Sequence, residues 1–118
     1  MENGQKTLEQ WRSEIDFIDA ELLQLLNQRA AIACEIAAIK VSSGLAAYDP
    51  QRETEVLNRI AAHNPGPLDR QSMLAIFGSI IHETRRLGTQ RMQELSGAVA
   101  EDSNEIKSYQ LPANNGIA

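Results

Sequence analysis

The sequence predicts an all-α fold of three helices, one long and two shorter. Hydrophobic residues make up 42% of the 118 residues and aromatic residues only 4%. The apolar residues are mainly alanine, leucine and isoleucine, a composition that suits helices better than a sandwich or a barrel. Apolar residues also recur at alternating steps of three and four along most of the chain, and no stretch alternates as a strand does.

The first helix is predicted to run from about Thr7 to about Val41. Thr7, followed three residues later by Gln10, is typical of an N-terminal cap, and a Ser-Ser-Gly sequence at residues 42–44 marks the end. About 35 residues at 1.5 Å each give a length of about 50 Å. A small domain cannot cover so long a helix with its own core, and we therefore expect the chain to form oligomers.

One face of this helix carries an apolar seam that is interrupted once. The residues of the seam are Leu8, Trp11, Ile15, Ile18, Leu22, Leu25, Arg29, Ile32, Ile36 and Ile39. The exception, Arg29, keeps its charge at any physiological pH. A charge on a buried seam is costly unless it is paired. Arg29 therefore has a carboxylate partner in the protein, extends to water, or binds an anionic ligand.

The two shorter helices are bounded by local signals. The second helix begins at an Asp-Pro pair, residues 49–50, in which the aspartate is a cap and the proline occupies the first helical position. It ends before the sequence HNPGP at residues 63–67. The third helix begins near Asp69 and fades between Gly88 and Ala98. No strand and no internal repeat is expected.

Composition and charge limit the function classes. The formal charge of −5 favours neither nucleic acid nor an anionic membrane, and the single Cys34 excludes an internal disulfide and fits a reducing compartment. No signal segment is expected, and no apolar run approaches about 18 residues. We expect a soluble cytoplasmic protein with one helical domain over residues 1–96 and a flexible tail over residues 97–118.

Two cations share a face of the first helix. Lys40 follows Arg29 by about three turns, so both side chains project in nearly the same direction and could share one ligand. Arg12 lies about 25 Å before Arg29 along the axis. It could reach the same site only from a second copy of the chain, if the two long helices run antiparallel.

Further polar residues stand in the shorter helices. Asp49, Arg52 and Glu53 fall in the first turn of the second helix, and Thr84 interrupts the apolar stripe of the third. Their plainer interpretations are a helix cap for Asp49, a solvated surface pair for Arg52 and Glu53, and a hydroxyl bonded to its own backbone for Thr84.

Residues 8–88 resemble the all-α chorismate mutases. The resemblance rests on Arg12, Arg29, Lys40 and the segment 49–53, which reads DPQRE, all at the spacing of that family. It implies an intertwined homodimeric helical bundle, in which two chains pair through their long first helices. Each of the two sites would take its Arg12 from the partner chain.

The resemblance also implies a reaction, the rearrangement of chorismate to prephenate in phenylalanine and tyrosine biosynthesis. The step is concerted and needs no cofactor and no metal. Arg29 and the partner's Arg12 would hold the two carboxylates, with Arg52 completing the cage. Lys40 would donate to the ether oxygen of the breaking bond, and Glu53 would accept from the ring hydroxyl.

The remaining substrate-binding residues follow from the same resemblance. Asp49 would orient the hydroxyl side of the substrate, and Thr84 stands at a position where the family has a small residue. Apolar walls would lower the local dielectric and strengthen each polar contact. These walls are assigned to Ile32, Ile36, Val56 and Ile81.

The third helix departs from the family pattern. Where the family commonly has Gln or Glu beside the ether oxygen, one turn beyond Thr84, this chain has Gly88. Arg91 would have to reach back to replace that group. Gly88 thus leaves open a non-catalytic regulatory dimer that docks on a shikimate-pathway enzyme. An isochorismate pyruvate-lyase on the same fold also stays open, because its substrate is a dicarboxylate of similar shape.

Overall fold

The computed structural model describes residues 4–97, and this part of the chain folds into three helices without a strand. In chain order they are α1 (Leu8–Ser43), α2 (Pro50–His63) and α3 (Arg70–Leu95). The all-α class and the division into one long and two shorter helices are confirmed. The expected tail lies outside the described residues, apart from Gly97.

The start of each helix is fixed by a side chain that accepts a backbone hydrogen bond. Thr7 and Gln10 form the complete capping box at the start of α1. Asp49 accepts from the Arg52 amide at 3.1 Å and caps α2. At its other end α1 stops at Gly44, whose φ of 70° lies in the left-handed region that glycine adopts without a Cβ clash.

Helix α3 passes through Gly88 without a break and ends at Leu95. A single interior glycine costs only about 1 kcal/mol relative to alanine, which packing on either side can offset. Asp69 caps this helix by accepting from the Ser72 amide at 2.8 Å. Because α3 does not end at Gly88, the face that this glycine shares continues for about two further turns.

Helix α3 packs against both α1 and α2. Its contact with α1 is confined to the C-terminal half of α1, where small side chains allow a close approach. Ala37, 2% exposed, and Ile81, 7% exposed, are the only buried hydrophobic residues in the part of the chain that the structure describes. The core that the described residues form within one chain is therefore very small.

Among residues 4–97, neither α2 nor α3 covers the N-terminal half of α1. Every residue from Leu8 to Gln28 is exposed, including seam residues such as Trp11 (53%) and Ile15 (57%). The radius of gyration is 18.7 Å, against about 13 Å for a compact chain of this length. So large a continuous apolar face is typical of a surface that another molecule covers.

By length and composition, α1 is also apolar enough to cross a membrane. The core helix of a soluble helical protein passes the same test. Arg29 and Lys40 are expensive to place in hydrocarbon, and both project from the apolar side of this helix. The exposed face therefore suits a protein partner better than lipid.

Candidate active site

A cavity of about 470 Å³ lies between the C-terminal half of α1, the start of α2 and the second half of α3. This volume suits a small metabolite. The cavity is lined by all the predicted site residues except Arg12, namely Arg29, Ile32, Ile36, Lys40, Asp49, Arg52, Glu53, Val56, Ile81 and Thr84. The residues that the sequence assigned to one site thus do lie around one cavity, although they come from three helices.

Arg29 is half-buried and faces the cavity without a counter-charge. Its Nη1 donates to Thr84 Oγ1 at 2.9 Å, and Thr84 in turn donates to the Ile80 carbonyl at 2.9 Å. Among the described residues, no carboxylate forms an ion pair with Arg29. The bond to Thr84 orients the guanidinium but leaves its charge uncompensated, which favours an anionic ligand.

Lys40 lies at the loop end of the cavity. Its Nζ donates to the Ala47 carbonyl at 2.9 Å, so it ties the C-terminal end of α1 to the loop that leads into α2. An ammonium group has three donors, and one contact leaves others for a ligand. The loop bond therefore fixes the position of the charge without using up its donors.

Asp49 and Arg52 lie at the mouth of the cavity. The carboxylate of Asp49 caps α2, so the plain capping interpretation holds for this residue, although Asp49 also lines the cavity. The Arg52 side chain is 57% exposed, and its guanidinium lies 3.7 Å from the carboxylate of Glu55. An exposed pair of this kind contributes little, so Arg52 can turn toward an anion at low cost.

The plainer interpretation of Arg52 and Glu53 as a solvated surface pair is wrong, because the two side chains have different partners. Glu53 instead accepts from Arg85 Nε at 2.8 Å, in a pair whose side chains are only 22% and 35% exposed. The guanidinium of Arg85 also lies 4.6 Å from the ring centroid of Tyr48. Arg85 was missed in the sequence, although its position four residues after Ile81 places it on the cavity side of α3.

Arg12 does not reach this cavity within its own chain. Its side chain is 65% exposed and lies 3.9 Å from the carboxylate of Glu9, on the uncovered half of α1.

Gly88 lines the cavity on the side of α3 and supplies no side-chain donor. Arg91 does not replace it, because Arg91 is exposed and pairs with Glu94 at 3.4 Å.

The model of the family "Chorismate mutase type II" matches residues 11–89. The chain belongs to this family. The matched segment contains Arg12 and every charged residue that lines the cavity. In this chorismate mutase family member, the uncompensated Arg29 therefore lies within the segment that defines the family.

Similar proteins agree with this assignment. A chorismate mutase of Methanocaldococcus jannaschii is 32% identical over 87 residues, which cover 70% of this chain and 85% of that protein. The solved structure of chorismate mutase (form II) from Thermus thermophilus is 32% identical, with a TM-score of 0.70, and the match covers 72% of this chain and 97% of that one.

The chain is also similar to part of larger proteins. A bifunctional chorismate mutase/prephenate dehydratase of Neisseria gonorrhoeae is 44% identical over 72 residues, which cover 61% of this chain and 19% of that protein. The chain thus spans about a fifth of the length of such bifunctional relatives.

Proposed function

We propose that this chain catalyses the rearrangement of chorismate to prephenate. One observation carries the proposal: Arg29, Lys40 and Arg52, from two helices, line a single cavity in which Arg29 has no carboxylate partner among the described residues. A half-buried Arg29 without a counter-charge, with two further cations lining the same cavity, fits a small dianion, and chorismate is a dicarboxylate. Family membership supplies the reaction.

The residue types suit a concerted reaction. Such a step needs no nucleophile and no proton shuttle, only a cavity that holds one conformer and stabilises the charge separation of the transition state. Arg29 is suited to a carboxylate because its planar fork binds two oxygens at once. Lys40 would donate to the ether oxygen, on which negative charge grows as the bond breaks.

The other groups position the substrate. Glu53 would accept from the ring hydroxyl, Asp49 would orient the same side of the substrate, and Thr84 holds the Arg29 guanidinium in place. In the proposed dimer the apolar walls would exclude water and strengthen these contacts. These walls are formed by Ile32, Ile36, Val56 and Ile81.

We propose further that the active form is an intertwined homodimer in which Arg12 is supplied by the partner. The uncovered half of α1 supports this assembly, because its exposed apolar seam would pair with the same seam of a second chain. Within one helix Arg12 and Arg29 lie about 25 Å apart along the axis. Two antiparallel copies would bring the partner's Arg12 close to Arg29. We place this dimer in the cytoplasm.

The competing functions have less support. An isochorismate pyruvate-lyase would use a similar cage, since both substrates are dicarboxylates of similar shape, but the similar proteins are named as mutases. A non-catalytic dimer would have no use for an uncompensated Arg29, because an unpaired cation in a half-buried site is a liability. Docking to a shikimate-pathway enzyme stays a prediction that Gly88 alone motivates.

An assay of chorismate consumption with identification of the product tests the proposed function. We expect chorismate loss with prephenate as the product, and Arg29→Ala should slow it by on the order of a hundredfold or more. Arg91→Ala, an exposed arginine on α3, is the matched control and should keep wild-type activity. Release of pyruvate, or no chorismate loss by the wild-type dimer, would overturn the proposal.

A further inference from the structure

We propose that Arg85 is a positioning residue that fixes the carboxylate of Glu53 and the loop before α2 in their catalytic arrangement. The inference deepens the proposed function and rests on it, because it assigns Glu53 a contact with the substrate. It concerns a residue that lines the cavity but that the sequence pattern did not mark. Three observations carry it.

The first contact is the ion pair across helices α2 and α3. Arg85 Nε donates to Glu53 Oε2 at 2.8 Å, and both side chains are largely shielded from solvent. A partly buried pair of this length is stronger than an exposed one, since water screens it less. Glu53 therefore has one preferred rotamer rather than several.

The second point is which oxygen is used. The bond from Arg85 occupies Oε2 of Glu53, and Oε1 takes part in no hydrogen bond or ion pair among the described residues. An ionised carboxylate accepts at both oxygens. The remaining oxygen can therefore accept from a substrate hydroxyl while Arg85 holds the other in place.

The third contact reaches the loop between α1 and α2. The Arg85 guanidinium lies over the Tyr48 ring at 4.6 Å from its centroid, within the range of a cation–π contact. The neighbouring Ala47 accepts from Lys40. The loop that forms one wall of the cavity is thus held at adjacent residues by Lys40 from α1 and by Arg85 from α3.

A double-mutant cycle in the 118-residue chain separates positioning from direct substrate binding. Arg85→Ala should lower kcat by roughly ten- to a hundredfold with a smaller change in KM, since a misplaced Glu53 costs most in the transition state. Arg85→Lys should recover part of the loss, because an ammonium can still pair with Glu53. In a Glu53→Gln background, Arg85→Ala should lower kcat by less than about a further threefold, because Arg85 acts through the Glu53 carboxylate that this background lacks.

Each outcome has a defined meaning. Losses that multiply in the double variant would overturn the proposal, because Arg85 would then act independently of Glu53. The same holds if Arg85→Ala matches wild type. Circular dichroism and light scattering check folding, and Arg85→Gln replaces Arg85→Ala in the cycle if the latter does not fold. A wild-type chain that leaves chorismate intact would overturn both proposals, whereas an active wild type with multiplying losses overturns this one alone.

Discussion

Gly88 supplies no side-chain donor at a cavity position where the family commonly has one. The position is open: a Cβ built on Gly88 would meet only the Ala33 carbonyl oxygen, at 3.9 Å, an ordinary van der Waals distance. A longer side chain would begin without a clash at its Cβ. The structure thus permits the residue that the chain lacks.

Gly88→Gln should raise kcat more than it changes KM. The added amide would donate near the ether oxygen, where charge develops only in the transition state. Steady-state kinetics on chorismate measures the effect. Gly78→Gln is the matched control, because it fills another open glycine of α3 that does not line the cavity. An unchanged or lower kcat in a folded Gly88→Gln dimer would show that this position does not face the reacting bond.

Single residues were predictable where their chemistry conflicted with their surroundings. Arg29 stood out because a guanidinium occupies an apolar seam, and the structure places it in the cavity. Arg85 gave no such signal, because a charged residue beside Thr84 also suits a solvated face. Its partner Glu53 lies 32 residues earlier in the chain, and a contact between α2 and α3 is not visible in one sequence.

At the scale of the helices, the boundaries followed from local chemistry. The caps Thr7 and Asp49 lie where the sequence indicated, because each needs only its own side chain and a backbone amide three residues on. The sequence also placed the start of α3 near Asp69, and the structure shows that Asp69 is its cap. The ends of α1 and α2 also followed from local signals, the glycine at residue 44 and the HNPGP sequence at residues 63–67. The end of α3 carries no such signal, since it depends on packing against α1.

The cap of α3 should make part of the stability depend on pH. Two hydrogen bonds from Ser72 lower the pKa of Asp69 below its ordinary 3.8; the bond from the backbone has the larger effect and the bond from the side chain the smaller. A lowered pKa in the folded state means that the cap stabilises the fold fully above pH 3.8 and is lost as the pH falls through the lowered value.

Asp69→Ala should therefore lower the thermal unfolding midpoint at neutral pH, and its difference from wild type should narrow below about pH 3.8. Thermal unfolding followed by circular dichroism between pH 7 and pH 3 measures this difference. Asp69→Asn is the control, because it keeps an acceptor without the titrating charge and should differ from wild type by less at neutral pH. A difference for Asp69→Ala that is equally large at every pH would contradict a contribution from the ionised carboxylate.

At the scale of the whole molecule, the uncovered half of α1 is the dominant feature. The sequence predicted it, because an apolar seam about 50 Å long cannot be covered by two shorter helices. The partner that covers this seam could not be predicted from periodicity, because periodicity shows only that a helix face is apolar.

The chain should behave as an obligate homodimer. Light scattering at micromolar concentration should give about twice the chain mass of 13.0 kDa. Ile18→Glu, a charge in the middle of the exposed seam, should abolish the dimer and unfold the chain, because the core of one chain is too small to stand alone. Glu21→Gln lies outside the seam and is the control. A stably folded wild-type monomer would contradict this assembly and remove the shared site.

Mixing two inactive variants tests the central claim, a chorismate mutase site completed by the partner's arginine. Arg12→Ala and Arg29→Ala should each be nearly inactive alone. Refolded together in equal amounts, they should recover about a quarter of the wild-type sites, because half of the dimers are mixed and each mixed dimer carries both lesions in one site and none in the other. The measured quantity is prephenate formation per chain. No recovery in a verified mixed dimer would contradict the account, since Arg12 would then act within its own chain or not at all.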